Sequence, residues 1–288
     1  VMLEATDNGT VVITATDLET ACRISVDATV EVAGVVVLNC KALQSALPKK
    51  GMVTIDGHTV HNGAFHVTVP SFPVESYPEI PRCDAATLLG VIETGFTGLI
   101  DHTEYAISKE ESRFTLNGAL FHLVDGKARM VATDGHRLSV AESTASFCSP
   151  NMRMIVPAFS LRLMAQFFAP DRSVYIAKEE QRSFFTQGDV QIITRNVAGT
   201  FPDYEREMPR SNAHALLVER KPLLEVVKVA EKHADERSRA ISMKLNGCCR
   251  IEVKQEGREF TADVPAVWDG LEDWKVLVSA KYLREWLE

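Results

Sequence analysis

Residues 120–134 read LFHLVDGKARMVATD, with a short apolar segment on each side of an Asp125-Gly126 pair. An Asp-Gly or Asn-Gly dipeptide between alternating apolar residues is a strong local signal for a β-hairpin. The same arrangement occurs in VMLEATDNGTVVITATD at residues 1–17 and in ISMKLNGCCRIEVKQ at residues 241–255. The three turn glycines lie 117 and 121 residues apart, which indicates an internal repeat of about 120 residues.

A second element follows each hairpin, an apolar strand that leads through one residue into a short amphipathic helix. The three copies are VVLNCKALQSAL, MIVPAFSLRLMAQF and VLVSAKYLREWL, which align at Asn39, Pro157 and Ser279. These positions follow the turn glycines by 30, 31 and 32 residues, and such constancy is expected of a structural repeat. Copies two and three also carry a predicted helix before the hairpin, over residues 92–106 and 220–233.

Each repeat therefore predicts an α+β domain, with an antiparallel sheet and two helices on one face of it, because two-residue turns cannot join parallel strands. Proline motifs at residues 77–81 and 201–204 favour extended backbone and mark domain ends. The predicted domains are 1–81, 82–210 and 211–288. Three repeats predict a complete protein of roughly 360 residues, so we expect about 30 residues before Val1 and about 40 after Glu288.

The composition excludes several classes of protein. The chain has 288 residues, 45% of them hydrophobic and 24% charged, as is typical of a globular protein with a large core. The net charge of −8 argues against a protein that coats nucleic acid with its whole surface, although a local basic face is compatible with it. We expect no membrane span and no secretory signal. The six cysteines show neither metal-site nor disulfide-framework spacing, so we expect a cytoplasmic protein without metal or other cofactor.

Four motifs carry a family resemblance: VATDGHRL at residues 131–138, RFTLNG at 113–118, FPDY at 201–204 and TDLE at 16–19. In this order they cover essentially the whole chain, which closely resembles the bacterial sliding clamp, the β subunit of DNA polymerase III. The resemblance implies the DNA-clamp fold and a non-catalytic subunit that pairs head to tail with a second copy. The resulting homodimeric ring encloses double-stranded DNA without reading its sequence and acts as a processivity factor.

The resemblance also implies a groove for short peptide motifs, formed in the family between domains two and three. Its ligands are the replicative polymerase α subunit, the clamp loader and other clamp-motif proteins. An apolar groove edged by guanidinium and imidazole groups can bury Leu and Phe anchors and bind the peptide backbone. The matching positions here are Arg113, Leu116, Thr133, Gly135, His136, Arg137, Leu138, Pro202, Arg206 and Tyr282.

The second implied surface is the DNA-facing lining of the ring, on the solvent face of the helices. A ring that holds DNA by topology needs only weak contacts with phosphates. In the helix predicted over 92–106, we expect an exposed face made of acidic and polar residues, so the lining is poor in positive charge. That face is made of Glu93, Thr97, Asp101 and Glu104. The candidates for residues that face DNA lie on the other helices and are Lys41, Arg162, Gln166, Lys228 and Lys232.

Two positions depart from the family pattern. Glu207 stands where the family usually has an apolar residue, and Ser279 replaces a common asparagine. We expect the Glu207 carboxylate to turn outward or to pair with Arg206 or Arg210, because burying an unpaired charge is costly. The departure leaves open a divergent clamp paralogue with altered partner choice.

A hydrolase is the alternative from another class. Asp134 and His136 would form its acid/base pair, with Ser139 or Cys148 as the nucleophile. However, no glycine elbow or oxyanion loop surrounds these residues, and an aspartate that caps a turn explains Asp134 more simply. The chain also has no phosphate-binding loop, no paired metal ligands and no helix with a cluster of base-reading side chains.

Overall fold

The computed structural model describes residues 1–63, 65–81, 83, 88–146, 151–209, 211–245, 247–255, 257–270 and 274–288. They divide into two compact units, Val1–Phe201 and Pro202–Glu288. Every strand pairing described is antiparallel, as the hairpin signals predict. The α+β class is thereby confirmed, while the division into three domains stays a prediction.

The described residues of the first unit form three sheets and three α-helices. Its helices are α1 (Cys40–Ala46), α2 (Phe96–Asp101) and α3 (Ala158–Phe167). Its strands are β1 (Met2–Thr6), β2 (Thr10–Thr16), β3 (Thr20–Asp27), β4 (Gly34–Leu38), β5 (Thr54–Asp56), β6 (Thr59–Asn62), β7 (Phe65–Thr68), β8 (Ser71–Phe72), β9 (Leu88–Ile92), β10 (Gly118–Val124), β11 (Lys127–Thr133), β12 (Leu138–Thr144), β13 (Met152–Pro157), β14 (Val174–Glu179), β15 (Arg182–Gln187) and β16 (Val190–Arg195).

A nine-stranded sheet runs through the first unit in the order β8-β4-β1-β2-β3-β16-β15-β14-β9. Its central pairing joins β3 of the first repeat to β16 of the second, from Val190 opposite Ile24 to Thr194 opposite Thr20. The other two sheets are β12-β11-β10-β13 and β5-β6-β7. The sheet therefore continues from one sequence repeat into the next.

The hairpin turns differ in length between repeats. Between β10 and β11, Asp125 and Gly126 adopt φ values of +50° and +73°, as a two-residue turn of type I′ requires. The β1–β2 connection is one residue longer, because Thr6 pairs with Thr10. Our expectation of a two-residue turn there is wrong. In the third repeat Asn246 lies outside the described residues.

The three short helices follow their strands where the repeat predicts them. Asn39, Pro157 and Ser279, which align in the sequence, are the residues that precede the first turn of each helix. The Asn39 side chain accepts a hydrogen bond from the Ala42 N–H at 3.0 Å. This bond satisfies one of the unpaired donors at the start of α1.

The helix predicted over 92–106 is shorter than expected. Strand β9 continues to Ile92 because it pairs with β14, and α2 then begins after Gly95, whose φ is +80°. A separate 3₁₀ turn spans Glu104–Ala106. Thr97 is buried and Glu93 precedes the helix, so our prediction of a continuous exposed helical face there is wrong.

In the second unit, the part of the chain that the structure describes forms a four-stranded sheet, in the order β20-β19-β18-β22, and the pair β17-β21. The predicted helix at 220–233 is confirmed, and Leu223, Val227 and Ala230 of its apolar face are buried. The elements of this unit are α4 (Tyr204–Glu207), β17 (Leu216–Val218), α5 (Arg220–His233), β18 (Ala240–Leu245), β19 (Cys249–Gln255), β20 (Arg258–Val264), β21 (Ala266–Trp268), β22 (Trp274–Ser279) and α6 (Ala280–Leu287).

Candidate functional site

The turn between β11 and β12, residues 133–138, is held by its own side chains. Thr133 Oγ1 donates to the carbonyl of Arg137 at 2.6 Å and accepts from the Gly135 N–H at 3.1 Å. Asp134 Oδ1 accepts from the N–H groups of His136 at 3.0 Å and Arg137 at 3.1 Å. Gly135 has a φ of +86°, a region that glycine enters at little cost. The sequence Thr-Asp-Gly therefore specifies the shape of this turn.

The Arg137 guanidinium is held largely within the protein. Its Nε donates to Asp134 Oδ2 at 3.1 Å and its Nη2 donates to the Tyr105 carbonyl. The guanidinium carbon lies 5.2 Å from the centre of the Tyr105 ring, within range of a cation–π interaction. Only 15% of the Arg137 side chain is exposed. Arg137 thus fixes the turn to the Tyr105 segment.

Arg113 reaches the same turn from outside. Its Nη1 donates to the Asp134 carbonyl at 2.8 Å, and its Nε pairs with Glu110 Oε2 at 2.9 Å. A Cβ atom on Gly135 would lie 2.5 Å from Arg113 Nη1, so the glycine also makes room for the guanidinium. The Arg113 side chain is 41% exposed, and it therefore retains surface for a ligand.

The other predicted groove residues of the first unit differ in exposure. His136 is exposed at the turn, Leu138 is half-buried opposite Thr133, and Leu116 is buried. The structure therefore brings Arg113, Thr133, Gly135, His136 and Arg137 together at one turn.

The remaining groove candidates lie in the second unit. Pro202 and Arg206 are exposed, and Tyr282 is half-buried in α6. Arg206 Nε pairs with Asp203 Oδ2 at 3.0 Å. Glu207 is exposed, in agreement with our expectation that its carboxylate turns outward. Arg210, the other partner considered for it, lies outside the described residues.

The five DNA-facing candidates are all exposed on helices. The described side chains also show that two of these charges are paired, Arg162 Nη1 with Glu104 Oε1 at 3.3 Å and Lys228 Nζ with Glu288 Oε1 at 3.0 Å. The Lys228 hydrogen bond lowers the pKa of Glu288. The candidates are Lys41 on α1, Arg162 and Gln166 on α3, and Lys228 and Lys232 on α5.

The described geometry gives no support to a hydrolase. Asp134 Oδ1 is engaged by backbone N–H groups, as in a turn-capping aspartate. The Ser139 hydroxyl is buried and donates to the His102 carbonyl. Cys148, the other nucleophile considered, lies outside the described residues.

Among the described residues, no group of three or more His, Cys, Asp or Glu side chains gathers as metal ligands. No helix in the described part of the chain is long and apolar enough to span a bilayer.

Comparison with known proteins places this turn in a recognised domain. Residues 91–203 match the family described as DNA polymerase III beta subunit, central domain. A beta sliding clamp of Pseudomonas aeruginosa is 28% identical over 73% of this chain and 59% of that protein. The Caulobacter vibrioides beta sliding clamp is 29% identical over 78% of this chain and 63% of that protein. The chain is a homologue of the bacterial β sliding clamp.

Solved structures agree with the assignment of this clamp homologue. A Pseudomonas aeruginosa sliding clamp bound to griselimycin is 25% identical, with a TM-score of 0.88, over 99% of this chain and 80% of that chain. A Bacillus subtilis clamp at 20% identity has the same fold, with a TM-score of 0.88. The DNA-clamp fold is thereby confirmed. The homology is to the β subunit of DNA polymerase III, a non-catalytic polymerase subunit.

Two residues that build the site in this clamp homologue, Tyr105 and Glu110, were not predicted from the sequence. Tyr105 lies 32 residues before Arg137, the residue that it holds. Glu110 lies only three residues before Arg113, but no motif marked that ion pair. Asp134 was considered as a turn residue or as half of a hydrolase acid/base pair, yet its side chain and carbonyl bind both arginines. The contacts of Tyr105 with Arg137 and of Arg113 with Asp134 join residues 32 and 21 positions apart and become visible only in the folded chain.

Proposed function

We propose that this clamp homologue is a DNA polymerase processivity factor, a subunit of a homodimeric ring that encircles duplex DNA. The single observation that carries the proposal is the clamp fold, matched over 99% of the chain. The chain spans only 59% and 63% of the first relatives in their alignments. The proposal therefore concerns the full-length gene product, acting in the bacterial cytoplasm.

The proposed contact with DNA is weak and independent of base sequence. The candidate cations exposed on α1, α3 and α5 are Lys41, Arg162, Lys228 and Lys232. Two of them, Arg162 and Lys228, form ion pairs with carboxylates. A cation that is already paired with a carboxylate contributes less free energy to phosphate binding than an unpaired one. A closed ring tolerates such weak contacts, because topology rather than affinity keeps it on DNA. The net charge of −8 is compatible with this mode of binding.

The proposed partner site is the turn of residues 133–138 with Arg113 beside it. An exposed imidazole and a partly exposed guanidinium can bind the backbone or a side-chain amide of a peptide, while apolar anchors supply most of the affinity. The peptides would come from the polymerase α subunit, the clamp loader and other clamp-motif proteins. The roles of Pro202, Arg206 and Tyr282 stay predictions from the resemblance.

A divergent clamp paralogue with altered partner choice is a second candidate, favoured by one observation. Glu207 presents an exposed carboxylate at a position that is usually apolar in the family. An added carboxylate selects against acidic peptides through repulsion. Replacing Glu207 with leucine and comparing the bound partners would separate the paralogue from an ordinary clamp.

The deciding experiment loads the full-length protein onto circular DNA with a clamp loader and ATP. Retention in high salt is then compared before and after the circle is cut. We expect the protein to stay on the circle and to slide off the linear product. Equal retention on both forms, or none on either, would contradict encirclement.

A further inference from the structure

The turn between β2 and β3 repeats the geometry of the 133–138 turn. Thr16 Oγ1 donates to the Thr20 carbonyl at 2.9 Å and accepts from the Leu18 N–H at 2.9 Å. Asp17 Oδ1 accepts from the N–H groups of Glu19 at 3.0 Å and Thr20 at 2.7 Å. These four bonds correspond to those at Thr133 and Asp134, 117 residues later. The first repeat therefore builds the same turn as the second.

The two turns differ at the position of positive φ. Leu18 has a φ of +81° where Gly135 has +86°. A leucine rarely adopts this conformation. Because 71% of the Leu18 surface is exposed, burial in the core does not explain why a leucine stands at this position. The first turn thus presents an apolar side chain to solvent.

A cavity of about 440 Å³ lies beside this first turn, within the first unit. Asp17 and Glu19 line one part of it, and Phe159 at the start of α3 lines another. Phe159 is 48% exposed, so an aromatic face is open to a ligand. A cavity of this size can hold a few amino-acid side chains.

The lining also holds a hydrogen-bond donor that lacks an acceptor. Asn196 Nδ2 is buried and has no hydrogen-bond partner among the described residues, whereas its Oδ1 accepts from Ser183 Oγ at 2.8 Å. Buried polar atoms are nearly always paired in folded proteins. Asn196 therefore brings an unsatisfied donor to the wall of the cavity.

The charges of the lining favour a basic ligand. Its charged residues are the carboxylates of Asp17 and Glu19 and the guanidinium of Arg195. Arg195 Nη1 lies 3.4 Å from Glu19 Oε1, so these two charges offset each other and Asp17 leaves the lining with an excess of negative charge. The first turn is therefore flanked by net negative charge, whereas arginines and a histidine flank the second.

We propose that this cavity is a second peptide-binding site, for a short extended segment with an apolar anchor next to a lysine or arginine. The anchor packs on Phe159, and the basic residue pairs with the carboxylates of Asp17 and Glu19. The proposal is independent of partner binding at the 133–138 turn.

The test measures fluorescence anisotropy with labelled peptide GKLFG, capped at both ends, and the full 288-residue chain. The peptide GELFG is the charge control. Phe159→Ser and Glu19→Lys should each weaken GKLFG binding by about tenfold. Phe167→Ser is the matched control, because Phe167 lies on the same helix with 41% exposure and is not part of the cavity lining.

Saturable binding of GKLFG that prefers lysine over glutamate and is unchanged by Phe167→Ser would support the site. His136→Ala identifies the alternative, because loss of binding in that variant would assign the peptide to the 133–138 turn and overturn the proposal. Equal loss in both phenylalanine variants, or no binding up to about 1 mM, would also overturn it. Circular dichroism of each variant shows that the fold is intact.

Discussion

Arg137 and Arg113 show how two arginines of one motif divide their roles. Arg137 has a side chain that is 15% exposed and joins Asp134 to the Tyr105 segment, so its main contribution is to the shape of the turn. Arg113 is 41% exposed and is better placed to contact a ligand. Replacing either arginine therefore affects the turn, but only Arg113 offers substantial surface for recognition.

Gly135→Ala should lower the free energy of unfolding by about 1 to 2 kcal/mol, because its φ of +86° disfavours a side chain. The new Cβ would also displace Arg113 Nη1, 2.5 Å away. Urea denaturation measures the change. Gly98→Ala is the matched control, since Gly98 lies in α2 and its added Cβ would meet nothing described within 4 Å. Equal stability of the two variants would contradict this account.

Cys249 should resist alkylation at pH 8 while Cys40 reacts. Burial, and then the neighbouring Cys248, raise the pKa of the Cys249 thiol to about 11, and the thiolate is the reactive form. Cys40 is exposed. Iodoacetamide labelling followed by mass spectrometry measures both sites, with Cys40→Ser as the control for assignment. Rapid labelling of Cys249 in the folded chain would be inconsistent with its burial.

The same pKa has a consequence for stability. A thiol in the unfolded chain loses its proton near pH 8.5, whereas the folded chain retains it to about 11. The unfolded state therefore binds fewer protons between these values, and the free energy of unfolding contributed by Cys249 falls as pH rises through them. Cys249→Ala should remove this part of the pH dependence.

Among the elements, the short helices are the clearest example of local control. Asn39, Pro157 and Ser279 begin their helices at equivalent positions although they are three different residue types. The shared feature is an extended strand that ends where the apolar pattern changes from a period of two to one near 3.6. Helix α2 is the counter-example. The apolar residues before it form strand β9, which pairs with β14 as far as Ile92, so the helix begins later than the sequence predicts.

Leu223→Ala in α5 should destabilise the second unit by about 2 to 5 kcal/mol, because its side chain is buried and the substitution leaves a cavity. Val229→Ala, in the same helix with 42% exposure, should change stability by less than about 0.5 kcal/mol. Thermal denaturation of the 288-residue chain compares them. Similar losses in both variants would indicate that the two faces of α5 are buried alike.

At the scale of the molecule, the balance of charge limits contact with nucleic acid. The chain carries a net charge of −8, and Arg162 and Lys228 already pair with Glu104 and Glu288. Such a surface gains little from phosphate neutralisation, which accounts for most nonspecific DNA affinity. The proposed clamp activity therefore depends on ring closure more than on these cations.

Glu104→Gln should raise affinity for a short linear duplex by about two- to fivefold at low salt, because it releases Arg162 from an ion pair. Glu179→Gln removes the same charge from an exposed position on β14 and serves as the control. Anisotropy titrations at several salt concentrations measure the difference. An equal gain in both variants would show that total charge, rather than Arg162, governs binding.

The sequence alone was sufficient to predict the repeated motifs, the antiparallel pairing of the strands, the short helices and the resemblance to the clamp family. Each depends on signals within a few residues, such as the Asp125-Gly126 turn, or on their regular recurrence along the chain. The resemblance located Arg113, His136 and Arg137, but it assigned them one shared role. The low exposure of Arg137 comes with its packing against Tyr105, which lies 32 residues earlier and which no local pattern connects to the turn.

Only the tertiary structure decided how the repeats of the first unit are joined and where its cavity lies. The β3–β16 pairing brings together residues about 170 positions apart, and the cavity combines residues of the first repeat with Phe159 and Asn196 of the second. Backbone hydrogen bonding at a strand edge is nearly independent of side-chain identity, so many partners would satisfy β3 equally. The choice among them is made by packing of the whole unit, whereas turns and helix starts are fixed by residues adjacent in sequence.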